Sequence, residues 1–557
     1  MAADRRPPLR PHAARISRRR LLAAGAATAS AAALLAACGG SKGAGDGAPT
    51  RTPKRGGTLR TGTTLPIAYG LDPQIETGTG LAIFPRVYGY LHHVDPDGEA
   101  LLYDHAREIE QPDPTTYIFH LRPDIRFQDV APVNGRPVTS EDVALSIARF
   151  RDNPLVSTKT WHATMLDRIE TPDAATVRVT TRIPYAWSLA ELGGISGGAI
   201  IPKEQVAADL SGGGAGSGPF RVERASREGG ARIVRSGSYY GAPLPYLDAM
   251  EWLLFANDDA KDAALRSYSI DAAAVPDRLE KDALAAISKD LVTEAEPGLA
   301  WLSIGLRVDR APFADERVRR AIDIGLDRAA MIRDIAFNDG EELGPVNQHM
   351  GGGYWSLTAA EVATAHDSAR PLDERRADAR TLIDAAGAGG TPIVLQVAKL
   401  PQLLDLATVV RNQLSEIGLT VQLETIDQLA WFLAYRRGEF HATLISHEPY
   451  ETPDLPTRLY HSRGIDGTAS PFGFGDATID LLLERSWGEG DRETRRGTLL
   501  EAQRKMMEAR PLISLFTNTS YQTAWRYVQG RRPRAMGAMA QYNYGQWLDA
   551  TPGGRPD

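Results

Sequence analysis

The chain has 557 residues, with 63 Lys and Arg against 70 Asp and Glu, so its formal net charge is −7. A chain of this length is too long for one ordinary hydrophobic core, and two or three domains are expected. The acidic balance argues against nucleic acid as a partner, because phosphate binding requires clustered Lys and Arg.

The first 37 residues differ in composition from the rest and are typical of a targeting segment. They contain seven arginines and one aspartate, so the remaining chain carries a net charge of −13. Residues 17–22, SRRRLL, fit a twin-arginine pattern, and an Ala/Leu-rich run follows them. The run ends in LAAC at residues 35–38, which resembles a lipobox. The alternative, a single transmembrane anchor, is less favoured because the run is short and Gly-Gly-Ser-Lys follows.

Cys38 is the only cysteine, which excludes disulfides and thiolate-rich metal sites. Its place in the lipobox predicts that it is the lipidated first residue of the mature protein. Residues 39–57 are rich in Gly, Pro and polar side chains without an apolar period. A coil of this length has an end-to-end distance of about 20–25 Å. We therefore expect a flexible tether that holds the protein at a membrane surface.

The stretch 115–150 predicts two short strands, a polar loop and a capped helix. Tyr117, Phe119 and Leu121 alternate with polar or less buried positions, as in a half-buried strand. Residues 125–127 begin a second apolar run, and the loop 128–137 contains two prolines and an Asn-Gly pair.

The helix that follows this loop has a start signal in its sequence. Thr139 and Asp142 form a Thr-x-x-Asp capping pattern, and Val143, Ile147 and Phe150 fall on one helical face. These residue patterns predict a β-β-loop-α unit, but they do not indicate an activity.

The residue order of this stretch resembles the signature of the family 5 extracellular solute-binding proteins, the peptide- and nickel-binding components of ABC importers. A second marker is Pro312 to Ala321, PFADERVRRA, in which Asp315 is expected to cap a helix. Gly216 to Val222, GSGPFRV, is similar to a third family block. The matching blocks occur in family order from about residue 57 to residue 527.

Three further elements are predicted from the pattern of the chain. Residues 84–91 resemble a family helix, and 498–509 are expected to form the last helix. Residues 403–425 predict an amphipathic helix, a stop at Gly418 and an alternating strand.

The resemblance implies an α/β fold of two lobes, like class II periplasmic binding proteins, with mixed sheets, a hinge of crossing strands and an extra α+β domain. The implied segments, in chain order, are 1–37 signal peptide, 38–57 tether, 58–103 lobe one, 104–212 extra domain with the signature, 213–300 lobe one, 301–515 lobe two and 516–557 lobe one.

The resemblance also implies a cleft between the lobes, with ligand-binding residues near 445–456, ISHEPYETPDLP. In peptide binders of the family, an Asp in this segment holds the α-ammonium of the peptide, and Glu451 takes its place here. A carboxylate suits this role because an enclosed cation needs a charge-assisted acceptor. The neighbouring candidates for ligand contact are His447, Glu448, Tyr450 and Asp454. The alternative is a solvated acidic loop, which is common in acidic chains.

Four aromatic residues are weaker candidates for the cleft. Trp431 and Tyr435 are four apart on a predicted helix, a spacing that more often packs against a sheet. Tyr88 lies in a block similar to a family helix, and Trp355 lies in a Gly-rich stretch similar to a family loop. Core packing is the simpler interpretation of Tyr88.

The resemblance implies a solute-binding lipoprotein of an ABC importer, not an enzyme, that delivers a short peptide or another amine-bearing solute to permease subunits. We expect a monomer that is exported and lipid-anchored, without a cofactor or a resident metal and without a nucleic-acid partner. The alternative is an exported hydrolase with Ser196 of the Gly-Ile-Ser-Gly-Gly motif at 194–198 as nucleophile. A Gly-rich loop explains that motif more simply.

Overall fold

A computed structural model describes residues 52–67, 70–75, 79–94, 101–153, 156, 160–194, 197–226, 228–275, 277–296, 298, 301–447, 452–464, 469–531 and 545–549. The chain divides into Met1–Thr52 and a compact body of Pro53–Asp557. The predicted signal peptide, Cys38 and most of the predicted tether lie outside the described residues. Within the described residues, no helix combines the length and apolar character needed to cross a bilayer.

Strands account for the three main sheets and two small ribbons of the body. They are β1 Thr58–Thr63, β2 His92–Val94, β3 Leu101–Tyr103, β4 Ala106–Asp113, β5 Thr116–Leu121, β6 Leu166–Asp173, β7 Thr176–Thr181, β8 Phe220–Ser226, β9 Gly230–Arg235, β10 Ala249–Leu254, β11 Ala272–Val275, β12 Leu291–Glu296, β13 Trp301–Leu306, β14 Gly340–Glu342, β15 Pro392–Ala398, β16 Thr420–Ile426, β17 Ala442–His447, β18 Leu512–Asn518, β19 Ser520–Trp525, β20 Val528–Gln529 and β21 Trp547–Leu548.

Helices cover the faces and edges of these sheets. They are α1 Thr79–Val87, α2 Ser140–Asp152, α3 Thr160–Thr164, α4 Ser188–Gly193, α5 Asp258–Arg266, α6 Arg278–Ala285, α7 Glu316–Gly325, α8 Arg328–Ile335, α9 Ala359–Ala365, α10 Leu372–Ala386, α11 Pro401–Glu416, α12 Gln428–Arg437, α13 Asp454–Arg458, α14 Ala477–Gly488 and α15 Arg492–Ala509, with 3-10 turns at Lys203–Gln205 and Met350–Gly353.

The body has two lobes, each built on a mixed sheet. The sheet of lobe one has seven strands in the order β12-β19-β11-β1-β10-β9-β8, and the sheet of lobe two has six in the order β14-β18-β13-β17-β15-β16. In each sheet a few parallel pairs, such as β1 with β10 and β15 with β16, adjoin antiparallel pairs. Each lobe has its own cluster of buried apolar side chains. The predicted two-lobed α/β fold with mixed sheets is confirmed.

Two neighbouring strands carry the chain between the lobes. β12 leads into β13, and β18 leads into β19, so each pair of consecutive strands belongs to different sheets. Gly298 lies in the first crossing, and a side chain there would meet the carbonyl oxygen of Asn518 of the second crossing at 1.8 Å. The close approach of the two crossings therefore requires glycine at this position.

A third, four-stranded antiparallel sheet in the order β4-β5-β7-β6 carries the family-like signature, and we call its body the signature domain (residues 104–212). Gln128 ties this domain to lobe one, because its side-chain amide donates to the carbonyls of Phe220 at 2.6 Å and Val87 at 3.1 Å. The boundaries proposed for the segments stay a prediction, and β18 extends to Asn518, past the expected limit of lobe two at residue 515.

The capped helices are as predicted. The carboxylate of Asp142 accepts hydrogen bonds from the amide and the hydroxyl of Thr139, both at 2.9 Å, and α2 begins at the next residue. Asp315 caps α7 by accepting from the amide of Arg317 at 2.9 Å. Gly418 has a φ of +91° and separates α11 from β16 as expected.

Three element predictions were wrong in their extent or type. Residues 125–127 form only an isolated bridge between Arg126 and Pro137 rather than a strand, because the proline-rich loop leaves them no partner strand. The helix predicted over 84–91 spans Thr79–Val87 and stops before Gly89, which bridges to Ile200. The last helix begins at Arg492 rather than 498, since Asp491 caps it through the amide of Thr494.

We predict that Gly216→Ala destabilises the junction between lobe one and the signature domain. A Cβ at residue 216 would lie 1.9 Å from the carbonyl oxygen of Val87, so the backbone would have to shift. The expected cost is about 1–3 kcal/mol of unfolding free energy, measured by urea denaturation. Gly212→Ala is the matched control because its Cβ would meet nothing within 4 Å. Equal effects of the two changes would contradict this account.

We also predict that His162 makes the protein less stable in acid. Its ring is buried beside Phe150, neither ring nitrogen has a hydrogen-bond partner among the described residues, and burial lowers its pKa to about 3. Because the unfolded chain takes up the proton near pH 6.5 and the folded chain does not, stability is lost as the pH falls below 6.5. His162→Phe should remove about 2–3 kcal/mol of the loss between pH 7 and pH 4.5. An unchanged difference between the urea midpoints at the two pH values would refute this.

Candidate ligand-binding site

The segment predicted to bind ligand lies at the end of β17 and the start of α13 in lobe two. His447 is the last residue of β17, and Asp454 is the first residue of α13. Glu448, Tyr450 and Glu451 lie outside the described residues. The structure therefore places both ends of the candidate segment, and the roles of its central residues stay a prediction.

His447 is buried inside the protein. Its ring stacks on Trp301 with centroids 4.6 Å apart and an interplanar angle of 14°, and its Nε2 lies 2.5 Å from the Ser303 hydroxyl. Trp301 and His447 are directly paired in the register of β13 and β17. Burial lowers the pKa of His447 to about 3, so the ring is neutral at ordinary pH.

Asp454 is also bonded within the protein. One carboxylate oxygen accepts from the indole N–H of Trp487 at 2.5 Å, and the other accepts from Arg458 Nε and from the hydroxyl of Tyr185. Arg458 Nη2 also donates to the Tyr185 hydroxyl at 2.9 Å. All four side chains are at most 3% exposed. We call them the Asp454 cluster.

The Asp454 cluster has the electrostatics of a buried ion pair. Burial opposes the charge on Arg458, but the attraction of Asp454 outweighs it and raises the pKa of the guanidinium. For Tyr185, burial acts in the other direction and is the main reason that the pKa of the phenol lies well above its usual value. The cluster therefore holds a charged guanidinium and a neutral phenol.

Trp431 and Tyr435 lie on α12 and stack with parallel rings, 5.5 Å between centroids. The indole N–H of Trp431 donates to the Thr443 hydroxyl at 2.8 Å. Both side chains are half-buried and pack against the core of lobe two, with Tyr435 beside Phe440 and Phe472. Each ring thus serves packing, and a role in ligand contact stays a proposal.

Tyr88 and Trp355 are buried. The Tyr88 hydroxyl accepts from the amide of Gly214 at 2.9 Å, and burial raises the pKa of the phenol. Trp355 meets Trp187 edge to face, with centroids 4.9 Å apart. The simpler interpretation given to Tyr88, core packing, agrees with its surroundings.

Tyr185, Arg458 and Trp487 were missed as partners of Asp454. Tyr185 stands 269 positions from Asp454 along the chain, so no local pattern links them. A weak signal existed in the spacing of Asp454 and Arg458, because residues four apart on a helix can form an ion pair.

One group at the junction of the signature domain and lobe one has the residue types of a catalytic triad. His105 Nε2 lies 2.7 Å from the Ser217 hydroxyl, and the carboxylate of Asp104 lies 3.2 Å from His105 Nδ1. However, His105 Nδ1 makes no hydrogen bond among the described residues, so the carboxylate does not orient the ring as a triad requires. His105 and Ser217 are both buried, at 1% and 2% exposed, so the group does not face solvent.

One set of side chains in the described residues has donors close enough for a metal ion. Glu108, Glu110 and His120 lie on the hairpin of β4 and β5, with His120 Nε2 2.8 Å from a carboxylate oxygen of Glu110. Both carboxylates are exposed, and such surface groups are common without a bound metal.

Comparison with known proteins supports a single family. The model for bacterial extracellular solute-binding proteins, family 5 Middle, matches residues 104–468, which is more than half of the chain. The chain is 27% identical to the glutathione-binding protein GsiB of Salmonella typhi over 227 residues, 40% of this chain and 43% of GsiB. The match therefore spans less than half of GsiB.

Two further proteins are similar over most of their length. The probable D,D-dipeptide-binding periplasmic protein DdpA of Escherichia coli K12 is 24% identical over 427 residues, 74% of this chain and 78% of DdpA. The solved structure of DppA from Helicobacter pylori in complex with the peptide STSA has a TM-score of 0.76 at 21% identity, covering 89% of this chain and 98% of DppA. It has the same fold. Ser196, the nucleophile of the hydrolase alternative, lies outside the described residues, and none of these proteins supports that alternative. The extent of the family match, together with the shared two-lobed fold, means that this chain belongs to the bacterial extracellular solute-binding proteins of family 5.

Proposed function

We propose that this protein is the solute-binding component of an ABC importer, which captures a short peptide or another amine-bearing solute between its lobes and delivers it to permease subunits. The observation that carries the proposal is the family match over residues 104–468 on a two-lobed fold with crossing strands. The names of GsiB and DdpA, which refer to glutathione and D,D-dipeptides, support a peptide-like ligand.

The proposed mechanism is binding without covalent change. A ligand that contacts both lobes favours the closed arrangement in proportion to its extra affinity for that arrangement. Glu451 is the proposed acceptor for a ligand ammonium, because a carboxylate compensates an enclosed positive charge. With His447 neutral and Asp454 paired with Arg458, the negative charge offered to the ligand in this segment would come from Glu448 and Glu451.

The proposed location is the outer face of the cell membrane or the periplasm, with the protein a monomer that is lipid-anchored through Cys38. The sequence supports this through the arginine-rich start and the LAAC motif at residues 35–38. Attachment through more than one acyl chain is stable, whereas a single chain gives marginal binding.

We expect peptide ligands to stabilise the full-length protein. Reduced glutathione, D-Ala-D-Ala and Ser-Thr-Ser-Ala should be titrated by calorimetry, and each mixture should then be analysed by mass spectrometry. At least one peptide should bind saturably, raise the melting temperature and be recovered unchanged. Turnover of a bound peptide would favour an enzyme, and binding of none of them would count against a peptide-like ligand.

Glu451→Gln is the matched test of the binding residue. The change keeps the shape of the side chain and removes its charge, so affinity for the peptide that binds should fall at least about tenfold. Glu439→Gln is the control, because Glu439 is exposed on lobe two and pairs with Arg437 at 2.8 Å. If Glu451→Gln and Glu439→Gln bind equally well, Glu451 is not part of the site.

Cys38→Ser should release the protein from the membrane. The serine hydroxyl cannot form the thioether that carries the lipid, so the variant should appear in the soluble fraction and should not incorporate labelled palmitate. Ser41→Ala, three residues away, should behave as the wild type. Membrane association of the serine variant together with unchanged lipid labelling would contradict the anchor.

A further inference from the structure

Three consecutive residues of the signature domain touch lobe two. Tyr185, Ala186 and Trp187 lie between β7 and α4. The amide of Ala186 donates to the carbonyl of Trp487 at 2.7 Å, which is a backbone hydrogen bond between two separate bodies of the fold. We call residues 185–187 the bridging segment.

The first half of this contact is polar and fully bonded. The Tyr185 hydroxyl donates to Asp454 and accepts from Arg458, and the Arg458 guanidinium also lies over the rings of Tyr185 and Trp487 at 5.3 and 4.9 Å. Both carboxylate oxygens of Asp454 have donors. Tyr185 is the one member of the Asp454 cluster that comes from the signature domain.

The second half of the contact is held by ring packing. The Trp187 ring packs against Trp355, with centroids 4.9 Å apart, and the guanidinium of Arg495 lies 4.8 Å from the Trp187 centroid. Neither Trp187 Nε1 nor Arg495 Nε has a hydrogen-bond partner within the described part of the chain. Trp187 is therefore held by dispersion and cation–π attraction, which depend on close approach of the two bodies.

The contact between the bridging segment and lobe two depends on the relative orientation of the two lobes. The signature domain is bonded to lobe one through Gln128, and the lobes are joined through the crossings β12–β13 and β18–β19. A rotation about those crossings would carry the signature domain away from lobe two. The bridging segment would then leave the Asp454 cluster.

We propose that residues 185–187 form a latch that stabilises the closed form, and that Asp454 is a residue of this latch rather than a ligand contact. The inference rests on the hinged function proposed above. It links ligand to closure, because Asp454 follows Glu451 by three residues at the start of α13. A ligand held by Glu451 positions the segment that receives Tyr185.

The test measures closure without a ligand. Hydrogen–deuterium exchange of full-length protein, unfolded and refolded to remove any co-purified molecule, should be followed in a peptide containing Ala186. Tyr185→Phe removes two hydrogen bonds to charged groups but keeps the ring, so exchange at Ala186 should rise about tenfold or more. Tyr460→Phe is the control, since Tyr460 is likewise a buried tyrosine but belongs to lobe two itself.

The expected result is faster exchange in the bridging segment of Tyr185→Phe, while α7 and α10 of lobe two keep their wild-type protection. Trp187→Leu should act in the same direction, and it serves as the second variant if Tyr185→Phe folds poorly. Unchanged exchange at Ala186 in both variants, or a rise matched by Tyr460→Phe, would identify the contact as a permanent interface and overturn the latch. The exchange experiment contains no ligand, so its result can be interpreted even if none of the peptides binds in the titrations.

Discussion

The arrangement of the molecule depends on two neighbouring strands that leave one sheet and enter the other together. β12 and β19 pair in lobe one, and their continuations β13 and β18 pair in lobe two. The crossings touch so closely at Gly298 that its carbonyl accepts from the Thr517 hydroxyl at 2.7 Å and from the Asn347 amide at 2.8 Å. Two lobes linked this way can change their relative orientation while the hydrogen bonds between the strands of each sheet stay intact.

Buried charge has different consequences within a lobe and between bodies. In lobe two, Asp323 accepts from Arg328 at 2.6 Å, from His366 at 2.7 Å and from Arg510 at 2.8 Å, and all of these residues belong to the same body. The Asp454 cluster includes one residue from the signature domain. A buried ion pair is weak evidence for stability, because the cost of desolvation can exceed the Coulombic gain. The packing of Trp187 therefore supplies the clearer attraction between the two bodies.

Local signals in the sequence predicted local structure well. Thr139 with Asp142, Asp315 and Gly418 each act within four residues, and their caps and turns occur where expected. The order of the family-like blocks predicted the two-lobed fold and the family. The strand predicted at 125–127 was wrong because its apolar residues are buried without a neighbouring strand to pair with, which depends on tertiary structure.

The two described ends of the candidate segment, His447 and Asp454, were less predictable because their side chains contact residues that are distant in the sequence. The imidazole of His447 is chemically suited to contact a ligand. However, His447 lies opposite Trp301 in the paired strands β13 and β17, and its ring stacks on the indole inside the protein. Asp454 has the charge of a ligand contact, but the Tyr185 hydroxyl, from another body of the fold, donates to it. Neither pairing leaves a trace in the spacing of residues along the chain.

Small-angle X-ray scattering of the full-length protein, first freed of ligand and then saturated with the peptide that it binds, tests the central claim of ligand capture by closure most directly. We predict a smaller radius of gyration in the saturated sample and full recovery of the unmodified peptide. Identical scattering curves, or a peptide recovered in altered form, would contradict a binding protein that closes around its ligand.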